Sequence, residues 1–260
     1  MTSTAADGVR RERRRVAVAV GIATLAAWGA TWWFAWRMET MDHATMPPLH
    51  AQAWSAADAL ATFLMWAAMM AAMMLPSALP MIDAVATIAA RRKARGDAHT
   101  PTAIFVAGYL IAWTGFSALA TAVQWTLHKA GLLTPMMESA SPVMAGVLFL
   151  LAGAYQFAPF KYACLDKCRS PAAFVLTEWR DGIAGAVIMG LRHGGFCVGC
   201  CWALMALLFA VSVMDLRWVA ALALLAAVEK VAPFGAAFAR ILGIASVLAG
   251  GWLLARAALG

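Results

Sequence analysis

HGGFCVGCCWALMALLFAVSVM, His193–Met214, runs for 22 residues without an Asp, Glu, Lys or Arg. A helix of that length rises about 33 Å at 1.5 Å per residue, enough to cross a hydrocarbon core of about 30 Å. The stretch therefore reads as a membrane span, and the rest of the chain has the same character. Of its 260 residues 63% are hydrophobic and 13% charged, with a mean hydropathy of +0.76, the composition of an integral membrane protein. The apolar runs do not alternate with polar residues as barrel strands do, so the backbone inside the bilayer must be helical.

Further apolar runs lie at 16–36, 60–82, 103–126, 143–163, 218–233 and 240–258. The expectation is an all-α, polytopic helical membrane bundle of about seven transmembrane helices, or six if 218–233 fails to cross. That run is short and carries Glu229 and Lys230 near its end. A straight helix from Ile183 to Met214 would be about 48 Å long, so a break is expected. Arg192, His193, Gly194 and Gly195 supply charge and flexibility at one point. Residues 172–190 then form an interfacial or re-entrant helix, and the thiols that follow lie in the cytoplasmic leaflet. Residues 1–15 read as a basic tail and 16–260 as a single transmembrane domain.

Lys and Arg set the orientation. Arg10, Arg11, Arg13, Arg14 and Arg15 precede the first run, and of 20 Lys and Arg only Arg37, Lys129, Arg217 and Arg256 fall on the opposite side. By the positive-inside rule the N-terminus is cytoplasmic and the protein lies multi-pass in a bacterial inner membrane. The run from Val16 to Trp36 exceeds the 7–15 residues of a cleavable signal, which favours an uncleaved anchor. The net charge of +7 follows from this asymmetry and implies no nucleic-acid partner. Trp32, Trp33 and Trp36 read as an outer aromatic belt.

Within this apolar frame the soft donors are clustered. All five cysteines fall between Cys164 and Cys201. With Cys197 at zero, helical rotation of about 100° per residue puts His193 near −40°, Cys200 near −60° and Cys201 near +40°. Those four side chains share one face. Cys164 and Cys168 form an i,i+4 pair just past the fourth span and are expected at the same depth. Such a set suits a soft metal ion, while small buried thiols that merely pack are the plainer alternative.

Methionine is the second concentration. MWAAMMAAMMLPSALPM, Met65–Met81, places Met65, Met69 and Met73 on one stripe, and Met70 and Met74 on another about 100° away. Thioethers select Cu(I) over harder ions, whereas methionine beside alanine also fills gaps between helices. Pro76 and Pro80 disturb this helix. The preceding loop METMDHATMPPLH carries Met38, Met41, His43, Met46 and His50, a mixed thioether and imidazole set suited to capturing copper outside. From outside inward the order is His/Met, Met, then Cys/His.

Together, MWAAMMAAMMLPSALPM, KYACLDKCRSP (Lys161–Pro171), HGGFCVGCCWALMALLF from His193 and EKVAP (Glu229–Pro233) resemble a bacterial family of predicted metal-binding integral membrane proteins, often labelled copper chaperones. The resemblance runs from about Leu60 to the C-terminus. It implies metal-binding roles for Met65, Met69, Met70, Met73, Met74, Cys164, Cys168, His193, Cys197, Cys200 and Cys201. It brings no reaction with it and does not include the loop 37–59.

The reading is a membrane protein that binds a soft metal, Cu(I) with zinc as the other occupant, and handles, transfers or translocates it to a membrane or soluble acceptor protein. Two alternatives stay open. The vicinal pair Cys200–Cys201 resembles that of bacterial mercuric-ion transporters, and Cys197 with Cys200 has the spacing of a thiol oxidoreductase. No catalytic residue is assigned, and no Walker motif is present.

Overall fold

A computed structural model describes residues 3–40, 55–97, 100–133, 139 and 141–259. Met41, His43, Met46 and His50 lie outside the described residues. The elements are α1 (Ser3–Glu39), α2 (Ala56–Ala94), α3 (Thr102–Lys129), α4 (Pro142–Tyr155), α5 (Pro159–Arg169), α6 (Pro171–Glu178), α7 (Gly182–Ala206), α8 (Leu208–Val211), α9 (Leu216–Val231) and α10 (Gly235–Leu259). The protein is an all-helical bundle.

Among the described residues five helices are long and apolar enough to cross a membrane: α1, α2, α3, the α7–α8 stretch and α10. The pair α4 and α5, bent by 66° about a short break, makes a sixth if it counts as one span. The expected seventh, α9, is a 16-residue helix, which at 1.5 Å per residue rises only about 24 Å.

The long helices pair in ways their residues dictate. Arg13 near the start of α1 donates to both carboxylate oxygens of Asp83 near the end of α2, at 2.6 and 2.7 Å. Trp33 and Met38 at the other end of α1 share a cavity with Ala61 and Met65, so the two run antiparallel. A capping box starts α2, with the Ser55 hydroxyl accepting from the Asp58 N–H and the Asp58 carboxylate from the Ser55 N–H. The helix then continues through Pro76 and Pro80 to Ala94.

The expected break at His193–Gly195 is not where the chain bends. The helix α7 passes unbroken through all three residues. Instead the chain is interrupted at Trp179–Asp181, between α6 and α7, and again at Leu207 and Ser212, where a φ of 110° ends α8. No separate helix over 172–190 exists, because residues 183–190 belong to the span itself. The physical reason is packing. A methyl group on Gly190 would lie 2.1 Å from the Phe105 carbonyl oxygen, and one on Gly194 would lie 2.5 Å from the Ala112 Cβ. These glycines let α7 lie against α3 at backbone contact, as small-xxx-small faces do in membranes. A second glycine seam joins α4 to α10, where a methyl group on Gly250 would meet the Gly146 carbonyl oxygen at 2.7 Å.

The core lies between α2, α3 and α7. Trp66, Met69, Met70 and Met74 are wholly enclosed, and the Trp66 indole donates to Gln124 Oε1 at 2.6 Å. α9 packs on α2, and α5 packs on α7. Cys197 sits past the middle of α7, on its buried side.

Candidate metal centre

Three elements bring the soft donors together. Cys197, Cys200 and Cys201 on α7 are each 1% exposed. The Cys200 and Cys201 thiols both donate to the Cys197 carbonyl oxygen, at 3.1 and 3.0 Å, which folds them back along the helix. From α5, Cys168 packs against the cluster that contains Cys197, Cys200 and Cys201. Cys164 packs on Gly199, where a methyl group would lie 2.8 Å from its Sγ. Only glycine at 199 lets α5 approach this closely, and the Tyr155 hydroxyl secures the contact by donating to the Gly199 carbonyl oxygen. All five thiols are free of disulfides.

From α2, the Met74 thioether lies 4.0 Å from Cys201 Sγ. Met65, Met69, Met70 and Met73 are also buried, facing the bundle interior rather than lipid. Met74 is the methionine of the set that touches both a thiol and the ammonium group beside it.

That ammonium belongs to Lys230, which sequence reasoning treated as a helix-end residue. Lys230 is 6% exposed, and its Nζ lies 3.0 Å from Cys197 Sγ, 3.3 Å from Met74 Sδ and 3.4 Å from Ser77 Oγ. The Tyr109 hydroxyl lies 3.1 Å from Cys197 Sγ and 3.1 Å from the Met74 carbonyl oxygen, two residues before Pro76. The centre is thus a thiol and thioether cluster built around one buried cation, with a phenol at its edge.

Beside it lies a polar clamp. Lys161 Nζ and Glu229 Oε2 form an enclosed ion pair at 2.6 Å, each side chain 1% exposed. The Arg169 guanidinium donates to the carbonyl oxygens of Glu229 and Ala232, both at 2.8 Å, and of Pro233 at 3.0 Å. KYACLDKCRSP and EKVAP are therefore two halves of one joint. Lys161 and Arg169 bracket the α5 cysteines and anchor them to Glu229 near the end of α9, and the residue after Glu229 is Lys230.

His193 shares the buried side of α7 with the thiols. It is buried, but its ring stacks on Tyr109 and Phe105 with centroids 5.4 and 6.0 Å away, and meets Phe174 edge-on at 5.5 Å. Among the described residues it makes no hydrogen bond to a thiol, and its Nδ1 has no hydrogen-bond partner. Among the described residues no group of three His, Cys, Asp or Glu side chains closes on a point as a finished metal site does. The donors are gathered rather than arranged.

The signal for Lys230 was present in the sequence as a charge inside an apolar run. Its partners were not visible, because Cys197 and Met74 lie 33 and 156 residues away along the chain.

A family model described as PpoB2, copper chaperone, matches residues 63–253. The chain belongs to this copper chaperone family. The match includes every cysteine, the methionines Met65 to Met74, and both halves of the Lys161–Glu229 joint. It leaves out α1 and the loop that follows it. Copper is accordingly the metal relevant to this protein, and its apolar helices are suited to lipid. No curated protein matches the chain, and no solved structure matches it.

Proposed function

We propose that this protein binds Cu(I) at the junction of α2, α5, α7 and α9 and passes it to an acceptor protein. The observation that carries the reading is the gathering of Cys197, Cys200 and Cys201 with the Met74 thioether and the Lys230 ammonium, from helices far apart in sequence. Thiolate and thioether donors without carboxylates favour a soft monovalent ion over Mg²⁺, Ca²⁺ or Mn²⁺. Two thiolates on Cu(I) leave one net negative charge, which is costly in an apolar interior unless it is compensated. The Lys230 ammonium beside Cys197 supplies that compensation. Met65, Met69, Met70 and Met73 provide weaker soft ligands along α2, and in the proposed orientation, with the N-terminus cytoplasmic, metal moves along them toward the thiols. The loop residues Met41, His43, Met46 and His50 would collect it first.

Metal analysis of the purified protein, combined with thiol counting before and after oxidation, tests this reading. The expected result is about one Cu(I) per chain, retained against zinc, with thiols protected when copper is bound. Preferential retention of Hg(II) would favour a transporter of that ion. Reversible loss of two thiols without metal would favour an oxidoreductase using Cys197 and Cys200.

A further inference from the structure

The amino-terminal end of α1 holds a second feature that the metal centre does not use. A cavity of about 690 Å³ lies between α1, the end of α2 and the start of α3. Arg11, Arg15 and Lys93 line it together with Thr100 and Thr102. None of these three cations forms an ion pair among the described residues, whereas nearby Arg13 holds Asp83. Thr102 is 4% exposed, and its hydroxyl makes no hydrogen bond among the described residues. Two carboxylates also reach the cavity: Asp7, which is paired with Arg10, and Glu12. The balance is positive, with unused donors facing a space large enough for a phosphate-bearing group.

Arg11 and Arg15 also belong to a stripe that continues along α1 beyond the cavity. Arg11, Arg15, Val18, Ile22 and Leu25 follow one another at spacings of four and three, so they form a single stripe along α1. Val18, Ile22 and Leu25 on that stripe are 53, 63 and 73% exposed. A free phosphate would use the cations and ignore the stripe. A phospholipid uses both, with its phosphate at Arg11, Arg15 and Lys93 and an acyl chain along Val18, Ile22 and Leu25. We infer that this cavity is a binding site for one anionic phospholipid, held by its headgroup between α1, α2 and α3. Charge complementarity selects an anionic over a zwitterionic headgroup. The site stands apart from copper handling, and α1 lies outside the residues matched by the family.

Native mass spectrometry of the full chain in detergent, titrated with phosphatidylglycerol, phosphatidylcholine or inorganic phosphate, tests the inference. One phosphatidylglycerol should be retained, with phosphatidylcholine weaker by about tenfold or more and no competition from millimolar inorganic phosphate. The variant Arg11→Gln/Arg15→Gln/Lys93→Gln should lose that retained lipid. A control of equal charge change outside the cavity, Arg14→Gln/Arg91→Gln/Arg95→Gln, should keep it, and Lys93→Gln alone should weaken it. Equal loss from the two triple variants would overturn the inference by reducing it to general attraction. Equal retention of both lipids, displacement by inorganic phosphate, or retention by Lys93→Gln as strong as by the unaltered chain would also overturn it.

Discussion

Cys197 touches more of the chemistry than any neighbouring thiol: an ammonium at 3.0 Å, a phenol at 3.1 Å, and the carbonyl that takes both following thiols. Removing the ammonium should therefore expose what it compensates. In Lys230→Met the apolar volume is kept while the charge goes, and Cu(I) affinity measured against a competing chelator should fall by about tenfold or more, which is about 1.4 kcal/mol. Lys230→Arg should hold most of it. Tighter binding in Lys230→Met would mean that the ammonium competes with copper. At this scale the sequence revealed the donors but not their partners. The cysteines stood out by type and helical register, while Lys230 and Tyr109 reach the site from helices whose rotation is set only by packing. His193 shows the converse. Its register matched the thiols, yet the rings of Phe105, Tyr109 and Phe174 hold it, and no pattern within α7 contains those rings.

At the scale of elements, α5 depends on α9. The Lys161–Glu229 pair is enclosed on both sides, so deleting one partner strands a buried charge at a cost of about 3–5 kcal/mol. Glu229→Ala should lower thermal stability sharply in detergent. Lys161→Met/Glu229→Leu should recover much of it, since replacing both members of a buried pair by apolar residues is often neutral. If the double variant is as unstable as the single one, the pair does more than join two helices. The α2 methionines call for the opposite kind of change. Met69→Leu/Met73→Leu preserves volume and should cost under about 1.5 kcal/mol. Copper should still reach the thiols in detergent but should do so poorly in sealed vesicles supplied only at the face opposite the N-terminus. Equal loading of both proteins there would assign the methionines to packing. The start of α4 at Pro142 was legible to within a residue of the expected 143, whereas α2 begins at Ala56 rather than 60 and continues to Ala94 rather than ending at 82. A boundary was misjudged at Gly194, because glycine in a membrane helix marks close approach to a neighbour as readily as a break, and one sequence cannot tell the two apart.

For the whole molecule, apolar content and helical periodicity made the class of fold readable before any contact was known, because a bilayer permits few alternatives. The number of crossings was less readable. The short α9 was already marked in the sequence by its length and by Glu229 and Lys230, whereas the 66° bend between α4 and α5 was not. These two features bring α5 and α9 to the thiols, so the irregular part of the bundle is also where its chemistry lies. In the proposed reading this junction holds Cu(I) through sulfur, which X-ray absorption on the copper-loaded protein would register at the metal itself. We predict sulfur neighbours at about 2.3 Å, the distance typical of metal–thiolate bonds, and their loss in Cys197→Ser. A copper shell of nitrogen and oxygen alone, or one unchanged in Cys197→Ser, would contradict it.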